Sequence, residues 1–402
     1  MNAKPRILFV DDEPNVLQAL QRMLRPQRGE WDMLYASGSV EALQLLNDTP
    51  FDIIITDMRM PIMNGAELLG EVRARSPQTV RMALSGHTDR EFIFRAVSST
   101  HQFLSKPCNS EVLKDTIARC VAARDLIDDI EIRAFVGRIT SVPSIRDTFD
   151  AFSQSLEQGD AKISRIGKIV ASDIALSAKC LQLVNSAFFG TPRLVLTPQN
   201  AALLMGTEAL RETFRQPDVG STFPSEQMAN FDPLQVLKHS CLASRIALRI
   251  AQAEKLDPQI GESAALAAFL HDIGKLLMAA EWPERYDAFQ GCPASQRRRM
   301  EQTEFGATHG KIGGYLLSLW GFGTEIVEAV AWHHAPSQSS YGQSTVLAIA
   351  HAANLLASEK DASTTCDEWD MQYLALAGYG ERTDVWRALA ACETECEDLP
   401  QR

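Results

Sequence analysis

The segment ILFVDDEPN, residues 7–15, decides the fold that we expect for the first part of the chain. Its apolar run has the length of a buried strand and ends in two adjacent carboxylates, Asp11 and Asp12, before an amphipathic helical pattern that starts near Pro14. Two carboxylates side by side are costly to bury unless a cation neutralises them, and open α/β sheets bind ligands at this edge. We therefore predict an acidic metal site here. The simpler alternative is that the two aspartates only cap the following helix.

The composition is that of a globular protein with ample core. The chain has 402 residues, of which 45% are hydrophobic and 22% charged, which suggests two or three domains. A formal net charge of −12 disfavours a nucleic-acid-binding surface. We expect no membrane span, because no apolar stretch approaches the ~18–20 residues that one needs. The eight cysteines form no Cys-x-x-Cys pair, so we expect reduced thiols and a cytoplasmic protein.

Strand-like apolar runs alternate with helix-like amphipathic segments over the first 120 residues, as in βαβ units. We predict strands near 6–10, 32–36, 51–56, 79–84 and 102–105. Helices are predicted near 14–25, 38–48, 64–75, 89–99 and from 109 onward. The expected fold is an α/β doubly wound, five-stranded parallel sheet, in which right-handed crossovers place helices on both faces.

Polar residues follow the predicted strands at the points where they end. Asp57 ends the third strand, Ser85 the fourth and Lys106 follows the fifth, so these side chains should meet Asp11 and Asp12 at one edge of the sheet. A hard cation such as Mg²⁺ prefers oxygen ligands. An aspartate beside such a cation can accept a phosphoryl group. The pattern therefore predicts a magnesium-dependent phosphoryl-accepting site.

Residues 5 to about 122 resemble the receiver domain of bacterial two-component response regulators, because DDE, TDMRMPIMNG, LSG and SKP match that family's motifs in order. The resemblance implies the strand order 2-1-3-4-5, with Asp57 as the phospho-acceptor and a histidine kinase or phosphotransfer protein as partner. The implied Mg²⁺ ligands are Asp11, Asp12, Asp57 and the backbone carbonyl of Arg59. The implied phosphoryl-contact and switch residues are Ser85, Lys106 and the aromatic Phe103, with a cis peptide bond at Lys106-Pro107.

The helical pattern of the last receiver helix continues beyond residue 122. We expect one long helix over about 110–135, so that residues 123–135 form a linker between the receiver domain of residues 1–122 and the output domain. Two interpretations of this helix stay open. It either dimerises and transmits a signal, or it is a rigid spacer packed on its own chain.

Residues from about 136 to 360 lack strand signals, and amphipathic helices separated by Pro and Gly breaks predict an all-α helical bundle. Successive helices carry a series of candidate ligands: His239, His271, Asp272, His309, His333, His334 and Asn354. A lone histidine on an apolar helix face is usually a core residue. A series drawn from several helices can instead hold Mn, Fe, Ni or Zn, and two such metals activate water for phosphoester hydrolysis.

Residues 136–360 resemble an HDOD domain, the signalling branch of the HD superfamily, in VPS at 142–144, SDIALSAKCLQLVNSAFFG at 172–190, FLHDIGK and the HH pair. Enzymatic HD phosphohydrolases use a His, a His-Asp pair and a distant Asp. The first three positions fall on His239, His271 and Asp272, whereas the distant Asp position falls on Asn354. The glycine-tyrosine-proline signature of cyclic-dinucleotide phosphodiesterases is absent after Asp272. The resemblance therefore implies a regulator without catalysis.

The expected function is that of a response regulator whose phosphorylation at Asp57 switches a largely non-catalytic output domain. That domain would act through a downstream signalling protein or a homodimer. We expect no direct DNA binding, because no helix-turn-helix pattern occurs. Two alternatives stay open, a weak metal-binding module and a metal-dependent phosphodiesterase or phosphohydrolase, and His309, His333 and His334 support both. Residues 361–402 should add a helix or two and an exposed acidic end.

Overall fold

The computed structural model describes residues 4–86, 96–158, 162–186, 189, 191, 194–216, 218–223, 231–288, 292, 294–340, 342–360 and 368–393. Most of the helix predicted near 89–99 and the acidic end after residue 393 lie outside these ranges. In the described part, a parallel sheet with flanking helices forms the N-terminal domain, and helices form most of the remainder.

The N-terminal domain is built on five parallel strands in the order β2-β1-β3-β4-β5, which confirms the predicted α/β fold. The strands are β1 (Arg6–Val10), β2 (Asp32–Ala36), β3 (Ile53–Asp57), β4 (Val80–Ser85) and β5 (Gln102–Ser105). The helices described between and after them are α1 (Pro14–Met23), α2 (Ser39–Asp48), α3 (Gly65–Arg75) and α4 (Ser110–Ala123). Every residue of β3 is buried, as expected for a central strand whose two faces are covered.

The connection between the domains is not one continuous helix, so the long helix expected over about 110–135 is wrong. After α4 comes a 3-10 turn at Arg124–Leu126, and Ile127 is extended. The next helix, α5 (Ile130–Arg138), begins at Asp129, whose carboxylate accepts backbone N–H bonds of the first turn. The break lets Leu126 and Ile127 bury in the core, so this segment packs on its own chain.

The second domain is a bundle of helices, as predicted. Its front part contains α6 (Arg146–Glu157), α7 (Ile163–Ala171), α8 (Ile174–Val184) and α9 (Pro198–Phe214). Its back part contains α10 (Pro233–Ala253), α11 (Pro258–Leu270), α12 (Ile273–Glu281), α13 (Pro283–Asp287), α14 (Ala294–Phe305), α15 (His309–Leu319), α16 (Thr324–Trp332) and α17 (Thr345–Lys360). Two further helices follow, α18 (Met371–Leu376) and α19 (Thr383–Ala391).

One segment of the bundle, Pro258–Glu281, is long and apolar enough to cross a membrane, which the sequence reading overlooked. Of the most apolar 18 consecutive residues in this segment, 83% are buried inside the protein. Its apolar character is thus accounted for by packing in the bundle, because core helices pass the same test of length and composition.

The two domains contact each other through β5. The side-chain amide of Gln102 donates to the carbonyl oxygen of Ser318 at the end of α15, at 3.0 Å. In the opposite direction, the amide of Gln182 on α8 donates to the carbonyl oxygen of His101, at 3.1 Å. Gln102 and Gln182 are both buried, so the edge of the sheet is covered by the helical domain.

A second contact surrounds Arg81, which is only 1% exposed. Its guanidinium donates to the carbonyl oxygens of Ser99 at 2.7 Å and of Gly137 in α5 at 2.6 Å. Burial lowers the pKa of Arg81 to about 9, so the side chain stays protonated at neutral pH. A Cβ at Gly137 would lie 2.0 Å from the carbonyl oxygen of Pro77, so the close approach of α5 requires glycine here.

Candidate functional site

The first candidate site lies at the carboxyl edge of the sheet, where sequence reasoning placed it. Asp11 follows β1, Asp57 ends β3 and Ser85 ends β4. The ammonium of Lys106, just after β5, lies 2.9 Å from a carboxylate oxygen of Asp11 and also pairs with Asp57. Asp12 is half-buried beside the fully buried Asp11. The structure thus brings two of the three predicted carboxylates into contact with the predicted lysine.

Backbone groups hold the two carboxylates in place. Asp11 accepts a hydrogen bond from the amide of Glu13 at 2.9 Å, and Asp57 accepts one from the amide of Arg59 at 3.1 Å. The start of α3 packs against the same strand end, since a Cβ at Gly65 would lie 2.2 Å from the carbonyl oxygen of Asp57. The loop that follows β3 is therefore fixed close to the acidic group.

The fifth strand carries the remaining predicted residues of this site. The peptide bond between Lys106 and Pro107 is cis, as expected. The amide of Lys106 donates to the carbonyl oxygen of Ser85 at 2.9 Å, which ties the ends of β4 and β5 together. Phe103 is 4% exposed and packs in the core on one face of the sheet. Phe103 in β5 and Lys106 just after it are thus connected to Ser85 at the end of the neighbouring strand β4.

Burial and charge pairing act against each other on the pKa values of this site. Burial raises the pKa of Asp57, and the hydrogen bond and charge of Lys106 offset part of that rise. Burial alone would lower the pKa of Lys106, but Asp57 and Asp11 together raise it above its usual value. The lysine is therefore a firmly charged cation beside the carboxylate that is expected to react.

The second candidate site is a cluster of histidines around Asp272 in the back part of the bundle. Two groups of side chains share this aspartate, and within each group the ligand atoms lie within 4.8 Å of one another. The groups are His239, His271 and Asp272, and Asp272, His309, His333 and His334. They come from α10, the junction of α11 and α12, the start of α15 and the end of α16. The structure thus brings together the predicted series.

The spacing around Asp272 fits metal coordination. One carboxylate oxygen lies 3.3 Å from Nε2 of His271, and the other lies 3.3 Å from Nε2 of His309. His309 and His334 approach each other at 3.1 Å between their Nε2 atoms. Two ligands that each bind one ion at about 2.0–2.2 Å lie roughly 3–3.5 Å apart. The two oxygens of Asp272 therefore face two neighbouring groups of potential ligands.

Two of the histidines are oriented as metal ligands usually are. Nδ1 of His271 donates to the carbonyl oxygen of Ala268, and Nδ1 of His333 donates to that of Val330, each at 2.7 Å. These bonds direct the lone pair on each Nε2 into the cluster. Both Nε2 atoms are buried and have no hydrogen-bond partner among the described residues. Because an unpaired buried polar atom is costly, the donor set fits a cation.

Two residues of this site were missed by sequence reasoning. Glu301, buried on α14, accepts a hydrogen bond from Nδ1 of His309 at 2.8 Å. The ammonium of Lys275 lies 2.6 Å from Asp272 and neutralises it. Lys275 belongs to the quoted FLHDIGK segment, whereas Glu301 lies in a polar helix without any pattern that marks it. Carboxylate partners of this kind fix the orientation of ligating histidines.

The protonation states of Asp272 and of three histidines suit a metal site, whereas that of His309 does not. Burial alone would lower the pKa of His309, but Glu301 and Asp272 raise it above its usual value. Burial lowers the pKa of His239 to about 4 and those of His333 and His334 well below their usual value. Burial alone would raise the pKa of Asp272, but the histidines and Lys275 hold it well below its usual value. At neutral pH the aspartate is thus charged and these three histidines are neutral, as metal ligands must be.

Asn354, which we expect at the position where enzymatic HD phosphohydrolases have an aspartate, faces His239. Its side-chain oxygen lies 2.9 Å from Nε2 of that histidine. A neutral amide here leaves the cluster one negative charge short of the enzymatic donor set. His351 on the same helix is a structural residue, because its ring nitrogens bond the carbonyl oxygen of His333 and the amide of Asp370.

Comparison with known proteins shows that both parts of the chain match models of known protein families. The model of the response regulator receiver domain matches residues 7–118, and that of the HDOD domain matches residues 142–336. The hydrogenase transcriptional regulatory protein HoxA of Cupriavidus necator is 32% identical over 56% of this chain and 45% of its own length. The response regulator protein PilR of Pseudomonas aeruginosa is 30% identical over 31% of this chain and 27% of its own length.

The chain thus spans less than half of the length of these two curated relatives. Among solved structures, the MmoQ response regulator of Methylococcus capsulatus is 20% identical, with a TM-score of 0.48 over 62% of this chain and 98% of that one. The two matched families are those that the sequence motifs indicated. The chain belongs to the response regulators that join a receiver domain to an HDOD domain.

Proposed function

We propose that phosphorylation of Asp57, which requires Mg²⁺, switches a largely non-catalytic HDOD domain. The observation that carries this proposal is the position of Lys106. It forms ion pairs with Asp57 and Asp11, and it directly follows β5, the strand that contacts the helical domain. A histidine kinase or phosphotransfer protein would supply the phosphoryl group. The ion would be held by Asp11, Asp12, Asp57 and the backbone carbonyl of Arg59, and it would neutralise charge on the phosphoryl oxygens.

The residues of the chain have separate roles in this reaction. A carboxylate oxygen of Asp57 attacks the phosphorus atom, and the donor's leaving group departs with the bonding electrons. Lys106, already charged and next to Asp57, then binds a phosphoryl oxygen. Ser85, at the end of the neighbouring strand, donates its hydroxyl to another. The phosphoryl group adds a charge of about −1.5 to −2 to the site.

The signal would pass through β5. When Lys106 turns from Asp11 toward the phosphoryl group, the strand that carries Phe103 and Gln102 must adjust with it. Gln102 bonds the last turn of α15, and the first residue of that helix is His309 of the metal-like cluster. One helix therefore connects the strand edge of the receiver to the second site.

The output would be a changed HDOD surface that binds a downstream signalling protein or a second copy of the chain, in the cytoplasm and without direct DNA contact. Shifting the ratio of active to inactive conformations from 1:99 to 99:1 takes about 5.5 kcal/mol. Charge-assisted hydrogen bonds to the phosphoryl group, at about 1.5–3 kcal/mol each, can supply much of this. Hydrogen exchange of the interface with and without acetyl phosphate tests the proposal.

A second candidate function is metal-dependent phosphoester hydrolysis by the HDOD domain. The oriented Nε2 atoms of His271 and His333 around the shared Asp272 favour it. The residues that would hold Fe, Mn, Zn or Ni are His239, His271, Asp272, His309, His333 and His334. Such metals activate water for attack on phosphorus. Asn354 and the pairing of Asp272 with Lys275 argue against full activity.

The Asn354→Asp variant should retain more Mn²⁺ or Fe²⁺ than the unaltered protein, by about 10-fold in affinity, because it restores a charged ligand to the cluster. His271→Ala should lose at least about 10-fold. Metal content after dialysis and hydrolysis of a model phosphodiester are the measurements. Asn47→Asp, on the exposed face of α2, is the matched control and should change neither the metal content nor the rate of hydrolysis. If none of the variants differs from the unaltered protein, the cluster is structural.

A further inference from the structure

The histidine cluster consists of two groups of potential ligands that share Asp272 but are not equivalent. The four-ligand group is made of Asp272, His309, His333 and His334, and the three-ligand group of His239, His271 and Asp272. Each group faces a different oxygen of the shared carboxylate, with Nε2 of His309 3.3 Å from Oδ1 and Nε2 of His271 3.3 Å from Oδ2. The cluster therefore offers a metal ion two positions, whose surroundings differ.

The four-ligand group carries unpaired donor atoms that a cation would satisfy. Oδ1 of Asp272 and Nε2 of His333 lie 3.9 Å apart, and both are buried without a hydrogen-bond partner among the described residues. Such atoms are costly to leave unpaired. Nε2 of His309 lies 3.3 Å from the same oxygen and 3.1 Å from Nε2 of His334. These separations are close to those of ligands that surround one ion at about 2.0–2.2 Å.

The backbone holds the four-ligand group in place. A Cβ at Gly310 would lie 3.0 Å from the carbonyl oxygens of Val330 and Ala331, so the start of α15 packs closely on the end of α16. Nδ1 of His309 donates to Glu301 at 2.8 Å, which fixes the ring, and an ion would displace any proton on Nε2. Because the ligands are already assembled, binding of an ion would require little rearrangement of the chain.

The three-ligand group is occupied by groups of the protein itself. The ammonium of Lys275 lies 2.6 Å from Oδ2 of Asp272, the oxygen that an ion on this side would need. Nε2 of His239 donates to the side-chain oxygen of Asn354 at 2.9 Å, so this nitrogen carries a proton. An ion would have to displace the lysine and break this hydrogen bond, and the neutral amide would offer it no charge in return.

We propose that the cluster binds one divalent metal ion tightly, in the four-ligand group, and that Lys275 excludes a second ion from the three-ligand group. Three imidazoles and one carboxylate suit Zn²⁺, whose four-coordinate sites with protein ligands only are structural. The ion would join the first residue of α15 to the end of α16, and α15 is the helix whose last turn contacts β5. The one-ion form thus stabilises the output domain and leaves no open position for catalysis.

This inference rests on metal binding by the cluster, which the hydrolytic candidate function also requires, and it does not depend on phosphorylation of Asp57. Hydrolysis with two metals would need the second ion as well. The Asn354→Asp and His271→Ala variants described above act on that second ion, because His271 belongs to the three-ligand group and Asn354 contacts His239.

Isothermal titration of the metal-free, full-length protein with Zn²⁺, in the presence of a chelator that removes weakly held surface ions, tests the proposal. One ion per chain should bind at least about 100-fold more tightly than a second, because the three-ligand group holds a lysine and lacks a charged ligand. His334→Ala should weaken the tight ion by at least about 10-fold, whereas His239→Ala should leave it unchanged. The thermal unfolding temperature gives an independent readout and should rise until one equivalent of Zn²⁺ is present.

Lys275→Met tests the excluding role of the lysine. The side chain of Lys275 is 27% exposed, so methionine should be tolerated, and the second ion should bind at least about 10-fold more tightly once the competing charge is gone. Lys238→Met, at the exposed lysine directly before His239, is the matched control and should change the affinity of neither ion.

Several results would overturn this inference alone: two ions bound with equal affinity, a tight ion that is lost in His239→Ala or kept in His334→Ala, or a second ion that Lys275→Met leaves unchanged. A chain that binds no Zn²⁺ would overturn both this inference and the hydrolytic candidate function. One tight ion without hydrolysis of a model phosphodiester supports the inference and removes the hydrolytic function.

Discussion

Replacing Asp57 with asparagine should abolish labelling of the protein by acetyl phosphate and Mg²⁺, by at least about 100-fold. An amide oxygen is a far weaker nucleophile than a carboxylate, and the variant also removes a charged ligand of the ion. Because asparagine has nearly the same shape, the buried end of β3 should keep its structure. Intact-mass spectrometry measures the phosphorylated fraction directly.

The matched control for this experiment is Asp48→Asn, at an exposed aspartate in the same domain, which should be labelled like the unaltered protein. Chelation of Mg²⁺ with EDTA should also prevent labelling of the unaltered chain, because Asp11, Asp12 and Asp57 would then repel the incoming phosphoryl group. Labelling that persists in Asp57→Asn would show that Asp57 is not the phosphoryl acceptor.

The second large effect is expected at Gly274, which is the second residue of α12, the helix that follows the His-Asp pair. A Cβ at this position would lie 2.0 Å from the carbonyl oxygen of His309 and 2.7 Å from its carbonyl carbon. Both atoms belong to backbone, so α12 and α15 must separate to make room. We expect Gly274→Ala to lower the free energy of unfolding by about 3–5 kcal/mol, near the upper end for single substitutions.

Urea unfolding measures this loss, and Gly70→Ala is its matched control. Gly70 lies inside α3 with no other atom within 4 Å of the added Cβ, so alanine there should be neutral or stabilise by about 0.5–1 kcal/mol. Equal stability of the two variants would mean that α12 and α15 do not approach as closely as described. The same separation would displace His309, so the histidine cluster should be disrupted together with the fold.

The sheet and its acidic edge could be predicted because the information is local. Apolar runs of strand length mark β1 to β5, and parallel strands place their carboxyl ends together, so Asp11, Asp57 and Lys106 had to meet. The series of histidines was also visible, because each lies in a recognisable helical segment or directly beside one. Patterns along the chain were therefore sufficient to locate both sites.

The features that were missed depend on tertiary contacts between helices and between domains. The helix break near Ile127 follows from burial against the helical domain, although amphipathic spacing alone continues through it. The pairing of Glu301 with His309 arises because the short turn between α14 and α15 brings the first residue of α15 next to Glu301, and no residue pattern marks this contact. The cavity between the two domains forms only when residues on both sides of the domain boundary come together. Periodicity contains none of this information.

The central claim is that phosphorylation of Asp57 changes the contact between the receiver and the HDOD domain. Hydrogen exchange, followed by mass spectrometry, tests it most directly in segments 101–105 and 315–322, with and without acetyl phosphate and Mg²⁺. Phosphorylation should make these amides exchange severalfold faster in the unaltered protein, because Gln102 and Ser318 fit each other in the unphosphorylated geometry, and should have no effect in Asp57→Asn. Full labelling at Asp57 with unchanged exchange in both segments would contradict the claim.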